Sequence, residues 1–365
     1  MIDLGKFVDK YKLIASNDHS LDILRYSQKH FPLYFPNRGL NRLARDKTKV
    51  YIHHECLEEN IINELVRKDT KVFIDNLGDS GQREYIFLMS GSRHEANQQV
   101  EFRGVLGYNR LEEIILTILL SGINHNNIVI LDKNPLYKNI ISNDLISIRN
   151  LELDSIIVGG SIVFKEFLRN DKKFKLVSKN RGRILSTELY VYNGRNYIFT
   201  TYPYADLCEI VIKELTHFNF NRIFFFGSCG YIGDYKNRQI GDILAPTKII
   251  NEDGTNIQIY HNNRFVERET NTVHGLAKTI QEETLQFIKT LKVKGVQSID
   301  MEVAYFQNGL EKYFKDKRIE VGILVYIMDF PGTSLTYDNV SYHDDKIILA
   351  RKNLFSNFLN YISII

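Results

Sequence analysis

Residues 222–234 read RIFFFGSCGYIGD, a stretch in which four large apolar residues run directly into Gly227-Ser228-Cys229-Gly230. A run such as Ile223 to Phe226 is typical of a strand that is buried on both faces. The small residues after it allow the backbone to approach another strand or a ligand closely. The segment therefore predicts a central strand of an α/β sheet with a functional loop at its carboxyl end.

The composition is that of an ordinary globular protein and points to no macromolecular partner. The chain has 365 residues, 44% hydrophobic and 25% charged, with a formal net charge of +3. Lys and Arg alternate with Asp and Glu, so the sequence has neither the basic patch of a nucleic-acid binder nor a membrane-binding surface. We therefore expect no nucleic-acid partner and no membrane partner.

Cysteine usage and the N-terminus favour a cytoplasmic location. The three cysteines, Cys56, Cys208 and Cys229, are far apart in sequence, which indicates neither a disulfide framework nor a zinc site. The N-terminus has charges every few residues, and no stretch of about 18 consecutive apolar residues occurs. We expect a cytoplasmic protein without a bound metal.

The order of strand-like and helix-like segments predicts two α/β portions. Residues 1–150 contain apolar runs at 49–53, 71–74, 85–89 and 127–131, and a helical pattern from Leu111 to Leu119. Residues 151–365 contain strand patterns at 155–158, 189–192, 197–200, 223–226 and 321–328. Helices are predicted at about 206–217, near 276–291, and at the C-terminus with Ile347 and Ile348 inward. This alternation indicates a mainly parallel sheet in the second portion, with ligands beyond the carboxyl ends of its strands.

Four short motifs in residues 151–365 resemble those of the purine nucleoside phosphorylase and uridine phosphorylase superfamily, which includes methylthioadenosine and AMP nucleosidases. Each motif lies at a strand end or a helix start. In chain order they are Val158-Gly159-Gly160-Ser161, Gly227-Ser228-Cys229-Gly230 with Ile240-Gly241-Asp242, Asp300-Met301-Glu302, and Met328-Asp329. The resemblance implies a mixed central sheet flanked by helices, to which the N-terminal α/β portion is an addition of unknown role.

The resemblance also implies roles in breaking the bond between a base and a ribose. Glu302 would accept hydrogen bonds from the two ribose hydroxyls while Met301 packs on the sugar. Asp329 follows a strand of apolar residues, where burial favours a protonated carboxyl that can donate to a purine nitrogen. The loops with Gly160 and Ser161, and with Gly227 and Ser228, would line the substrate cleft.

Structural explanations exist for the same residues. Asp329 could simply cap the turn Phe330-Pro331-Gly332, and Glu302 could be a solvated helix residue beside buried Met301. The order of the four motifs favours the catalytic interpretation of both. Cys229 is better explained as a small packed residue than as a nucleophile, because no His lies nearby in sequence to activate it.

The chain departs from the superfamily where the phosphorylases hold phosphate. Val163 and Phe225 occupy the approximate positions of the two phosphate-binding arginines, and neither residue can balance a buried dianion. Arg181, Arg183 or an arginine from a partner subunit could substitute, but nothing in the sequence supports any of them. The usual glycine-rich stretch is replaced by Thr200-Thr201-Tyr202-Pro203-Tyr204. Hydrolysis is therefore favoured, and Glu166 is the nearest carboxylate that could activate water.

The sequence thus leads to three functional hypotheses. The favoured one is hydrolytic cleavage of a nucleoside or nucleotide, with a purine as the expected base. The alternatives are phosphorolysis, with phosphate as co-substrate, and a catalytically silent nucleoside or nucleotide sensor. No cofactor is expected, and the habit of the superfamily implies a homo-oligomer. By analogy with AMP nucleosidase, the N-terminal portion could recognise a larger substrate such as a nucleotide.

Overall fold

The structure is a computed structural model of the chain. It describes residues 4–15, 49–55, 71–76, 83–89, 99–120, 123–132, 135–251, 256–258, 265, 270–279, 283–333 and 344–363. Cys56 lies outside these residues. Within them, no helix combines the length and the apolar character that crossing a bilayer requires.

The chain forms two compact units. The first comprises Met1–Gly78, Gln82–Leu136 and Thr279–Gln286, and the second comprises Asp79–Gly81, Tyr137–Lys278 and Phe287–Ile365. The predicted assignment of separate roles to residues 1–150 and 151–365 stays a prediction.

The first unit is built on a five-stranded sheet. Its strands are β1 Lys49–His54, β2 Lys71–Asn76, β3 Arg83–Met89, β4 Gln99–Val105 and β5 Ile128–Asp132, and its helices are α1 Leu4–Ala15 and α2 Tyr108–Leu120. The strand order is β2-β3-β4-β1-β5, with β1 parallel to both of its neighbours. The predicted apolar face of α2 is buried from Leu111 to Leu119 and packs with Ile52 and Phe102. This unit is therefore α/β, as its sequence pattern indicates.

The elements from residue 137 onward form a larger layered structure. The strands are β6 Leu153–Val158, β7 Lys175–Asn180, β8 Thr187–Tyr192, β9 Arg195–Thr200, β10 Phe220–Tyr231, β11 Ile243–Ile250, β12 Asn256–Gln258, β13 Thr270–Leu276, β14 Ser298–Asp300 and β15 Glu320–Asp329. The helices are α3 Tyr137–Asp144, α4 Gly160–Val163, α5 Lys165–Asn170, α6 Leu207–Leu215, α7 Leu285–Val293, α8 Val303–Phe314 and α9 Asp345–Ser363.

The ten-stranded sheet is mixed, which confirms the predicted fold class. Its order is β12-β11-β13-β14-β10-β6-β9-β8-β7, and β15 pairs with both β10 and β11. Strands β9, β6, β10 and β15 are parallel to one another, whereas β7-β8-β9 is an antiparallel meander. The β8–β9 hairpin turns through Asn193 and Gly194, both at positive φ, as a tight two-residue hairpin requires. Strand β13 is also parallel to β11 and β14, whereas β14 is antiparallel to β10. The sheet therefore combines parallel and antiparallel pairs and is not mainly parallel as expected.

The strand β10 is buried on both faces, as the run of phenylalanines predicts. Phe224 and Phe226 contact Phe358 of α9, whereas Phe225 contacts Phe306 of α8. All three rings are at most 1% exposed. Helices therefore cover both faces of the sheet, and β10 runs through its core.

Two element predictions were wrong in detail. Residues 270–276 form β13, and the helix predicted near 276–291 begins only at Leu285. The pairing of β13 with β11 and β14 decides its conformation, and that pairing is not visible in local sequence. In α9, Ile347 is buried but Ile348 is 38% exposed, because successive helical residues point about 100° apart.

Candidate functional site

The carboxyl end of β10 is the centre of the candidate site. The loop predicted after Phe226 is wrong, because Gly227 to Gly230 continue β10 by pairing with β15. Pairing of β10 with β6 ends at Phe225 and Val158, so Gly227 and the residues after it extend past the end of β6. There Gly230 pairs with Asp329 of β15 on one side and with Ile299 of β14 on the other. This register brings two of the predicted motifs, Asp300-Met301-Glu302 and Met328-Asp329, to the two sides of a third.

A close backbone approach explains the glycine at the end of the segment 227–230. A Cβ atom on Gly230 would lie 2.5 Å from Cγ of Pro331 and 3.2 Å from Oδ1 of Asp329. The small residue therefore makes room for the turn that carries Asp329. The close neighbour of Gly230 is therefore the segment Asp329 to Pro331 of the same chain and not a ligand.

Asp329 is 8% exposed and ends a strand whose residues from Val321 to Met328 are all buried. The charge of Asp329 affects the pKa of the neighbouring Cys229 thiol. Burial raises the pKa of the Cys229 thiol well above its ordinary value, and the charges of Asp300 and Asp329 raise it further. The two carboxylates thus lie near one buried thiol, and Cys229 is kept protonated, which suits a packed residue rather than a nucleophile.

Asp300 shapes the turn that presents Met301 and Glu302. Its Oδ1 accepts hydrogen bonds from the backbone N–H groups of Glu302, at 3.2 Å, and Val303, at 3.0 Å. This is the capping arrangement that satisfies the free N–H groups at a helix start, here that of α8. Both Met301 and Glu302 remain partly exposed.

A second segment, Tyr204-Ala205, contacts the same turn. The Tyr204 hydroxyl donates to Sδ of Met301 at 3.6 Å, and the Ala205 N–H donates to Oε1 of Glu302 at 3.4 Å. Ala205 has a φ of +42°, which is unfavourable for a residue with a side chain. The strained backbone at Ala205 therefore directs an N–H group at the predicted ribose-binding carboxylate.

Gly159, which follows β6, is packed close to Tyr202 and β10. Gly159 has a φ of +80°, and a Cβ atom there would collide with the Tyr202 ring and with the Phe226 carbonyl oxygen. The Tyr202 hydroxyl donates to that same carbonyl. A Cβ atom on Gly227 would lie 3.7 Å from the same ring. Gly160 and Ser161, which are both buried at the start of α4, follow this contact directly.

No family model and no curated protein sequence matches the chain. Among solved structures, a purine nucleoside phosphorylase from Toxoplasma gondii in complex with immucillin-H is 17% identical, covering 56% of this chain and 88% of its own, with a TM-score of 0.45. A methylthioadenosine nucleosidase from Arabidopsis thaliana is 13% identical, covering 58% and 97%, with a TM-score of 0.47.

A mutant futalosine hydrolase from Helicobacter pylori is 12% identical, covering 59% of this chain and 100% of its own, with a TM-score of 0.44. The chain resembles nucleoside phosphorylases and nucleosidases.

The positions expected to bind phosphate in a nucleoside phosphorylase are apolar and buried in this chain. Val163 is 3% exposed and Phe225 is 1% exposed, and the Phe225 ring lies between those of Tyr202 and Phe306. Arg181 and Arg183 both have exposed side chains. No arginine therefore occupies the two expected positions.

Glu166 differs from the other predicted site residues. It lies in the first turn of α5 with an exposed side chain, and no described contact joins it to Glu302, Asp329 or the glycine loops. Its role in activating water stays a prediction. Within the described part of the chain, no group of three or more His, Cys, Asp or Glu side chains is arranged to hold a metal ion.

Sequence reasoning did not assign functional roles to Tyr202, Tyr204, Ala205 or His274. The segment around Tyr202 was visible only as a replacement of a glycine-rich stretch, and its contacts depend on β10 and α8. His274 lies in β13, which the sequence pattern did not reveal as a strand. A histidine between Val273 and Gly275, within an otherwise apolar run, was the available signal.

Proposed function

We propose that this chain hydrolyses the N-glycosidic bond of a nucleoside or nucleotide, with a purine as the base. The observation that supports this most is the placement of Asp329 and Asp300-Met301-Glu302 on the two sides of the carboxyl end of β10. Cleavage requires an acid at the departing base and an acceptor for the sugar hydroxyls, because the transition state resembles a sugar cation.

The proposed roles follow from the surroundings of each residue. Asp329 is a nearly buried carboxyl at the end of an apolar strand, and it would donate a proton to the departing base. Glu302 is partly exposed and directly precedes α8, and it would accept the two ribose hydroxyls while Met301 contacts the sugar face. Gly160 and Ser161 at the start of α4 and Gly227 and Ser228 of β10 would line the remainder of the cleft.

Water is the proposed nucleophile. A phosphate dianion in a closed cleft needs fixed cations, and Val163 and Phe225 provide none. The Tyr202 ring also lies against Gly159 and Gly227. Glu166 is the proposed activator of water. Because its side chain is exposed, this role requires that substrate binding bring Glu166 close to the attacking water. Neither a cofactor nor a metal has a part in this proposal.

A substrate panel tests the proposal. Purine and pyrimidine ribonucleosides, their 5′-monophosphates and 5′-methylthioadenosine are incubated with the full-length protein, and free base and sugar are identified by mass spectrometry. We expect free base together with free ribose or a ribose derivative from at least one purine substrate. Binding without any turnover would instead support the sensor hypothesis, and neither binding nor turnover would contradict both. Cytoplasmic location and homo-oligomer formation stay predictions.

A further inference from the structure

His274 is a buried histidine whose two ring nitrogens each lie close to a polar side chain of the next strand. Its side chain is 0% exposed, and β13 pairs with β14 so that His274 is opposite Ser298. Nδ1 lies 2.8 Å from Oγ of Ser298. Nε2 lies 2.9 Å from Oδ1 of Asp300, at an angle outside ordinary hydrogen-bond geometry. The imidazole therefore bridges two residues of β14.

The two neighbours of the imidazole suit one of its tautomers. With a proton on Nε2 and none on Nδ1, the Nε2–H group faces the Asp300 carboxylate and Nδ1 accepts from the Ser298 hydroxyl. The imidazole thereby bridges Ser298 and Asp300.

The same Asp300 oxygen also determines the turn at Met301 and Glu302. Oδ1 takes part in the contact with His274 and accepts the N–H groups of Glu302 and Val303. Oδ2 has no hydrogen-bond partner in the structure. The carboxylate is therefore oriented through Oδ1 alone. Removal of the imidazole would leave only the two backbone donors to resist its rotation.

We propose that His274 is a positioning residue that orients Asp300 and, through Asp300, holds Glu302 where a sugar diol is bound. This inference rests on the proposed function, since it assumes that Glu302 accepts the ribose hydroxyls. His274 itself does not touch the substrate. Its effect is on the discrimination between sugars with and without a 2′-hydroxyl.

Two variants of His274 and one matched control test this. His274→Leu removes both polar atoms at similar size, whereas His274→Gln keeps an amide N–H near the position of Nε2. The control is Ile249→Ala, because Ile249 is fully buried opposite His274 in β11 and has no polar side-chain atom. The measured quantity is the ratio of kcat/KM for a riboside to that for its 2′-deoxyriboside. This ratio does not depend on the folded fraction of the preparation.

We expect His274→Leu to lower the ratio roughly tenfold, because a displaced Glu302 would lose the charged hydrogen bond that it is proposed to make with the 2′-hydroxyl. His274→Gln should restore much of it, and Ile249→Ala should leave it unchanged even if the protein is less stable. An unchanged ratio in His274→Leu, with normal discrimination in the wild type, would overturn the inference and leave the proposed function intact. Absence of cleavage by the wild type would overturn both.

Hydrogen exchange gives a readout that does not depend on activity. In His274→Leu, a peptide containing the Glu302 and Val303 amides should exchange faster than in the wild type, and faster than in Ile249→Ala. Unchanged exchange of these amides in His274→Leu would show that His274 does not hold Asp300, whichever reaction the protein catalyses.

Discussion

At the residue scale, Asp329 combines burial with a place at the end of an apolar strand. We expect Asp329→Asn to lower kcat by about 10²- to 10⁴-fold while changing substrate affinity little, because proton donation matters mainly in the transition state. Steady-state kinetics on the best substrate measures this. Asp316→Asn, at an exposed position after α8, is the matched control and should retain full activity. A near-normal kcat in Asp329→Asn would show that Asp329 is a turn residue and not the general acid.

Glu302 has a different signature because it is expected to bind rather than to transfer a proton. Glu302→Gln should weaken the binding of ribosides about tenfold or more relative to 2′-deoxyribosides, since a hydrogen bond to a charged group contributes about 1.5–3 kcal/mol. Calorimetric titration with matched pairs of ligands measures the difference. Glu311→Gln, further along the same helix, should weaken neither. Equal losses for the two sugars would show that Glu302 is not the acceptor of the diol.

At the element scale, the loop between β6 and α4 depends on a glycine for two separate reasons. Gly159 has a φ of +80°, and its neighbours Tyr202 and Phe226 leave no space for a side chain. Gly194, in the β8–β9 turn, has a φ of +75° but nothing within 4 Å of an added Cβ atom. A substitution at Gly194 therefore tests backbone strain alone, whereas a substitution at Gly159 tests strain together with steric collision.

We expect Gly194→Ala to reduce the free energy of unfolding by about 1–2 kcal/mol, which is the cost of a left-handed conformation with a side chain. Gly159→Ala should cost clearly more and should also lower activity, because the collision displaces either Tyr202 or the end of β10. Urea denaturation and kcat/KM measure the two effects. Equal stability losses with full activity in both variants would show that the contact with Tyr202 is not needed.

At the scale of the whole molecule, the identity of the nucleophile reflects which positions around the cleft are charged. Val163 and Phe225 are packed into the apolar core rather than facing an anion. We therefore expect turnover to continue in phosphate-free buffer and to release a sugar without phosphate. Mass spectrometry of the product, with and without phosphate, checks this. Obligatory dependence on phosphate, with a sugar 1-phosphate as product, would establish the phosphorylase alternative.

Local sequence was sufficient where one element determines the outcome. The run Ile223 to Phe226 predicts a strand buried on both faces, because large apolar residues on consecutive positions point to opposite sides of a sheet. The helical spacing from Leu111 to Leu119 predicts a buried helix face, and its apolar positions are all buried, namely Leu111, Ile114, Ile115, Ile118 and Leu119. These patterns depend on the residues themselves and on the period of the backbone.

Tertiary structure decided what no single segment contains. The strand β13 exists because β11 and β14 supply its pairing partners, and the sequence pattern had predicted only a helix from about Leu276 onward. The bridge from Ser298 through His274 to Asp300, and the contact of Ala205 with Glu302, join segments far apart in the chain. The sequence by itself predicted the candidate site residues and their place near the carboxyl ends of strands, and their roles stay predictions. Which of them meet was decided by sheet register and chain crossing, because a side chain's neighbours across a sheet are set by pairing and not by local propensity.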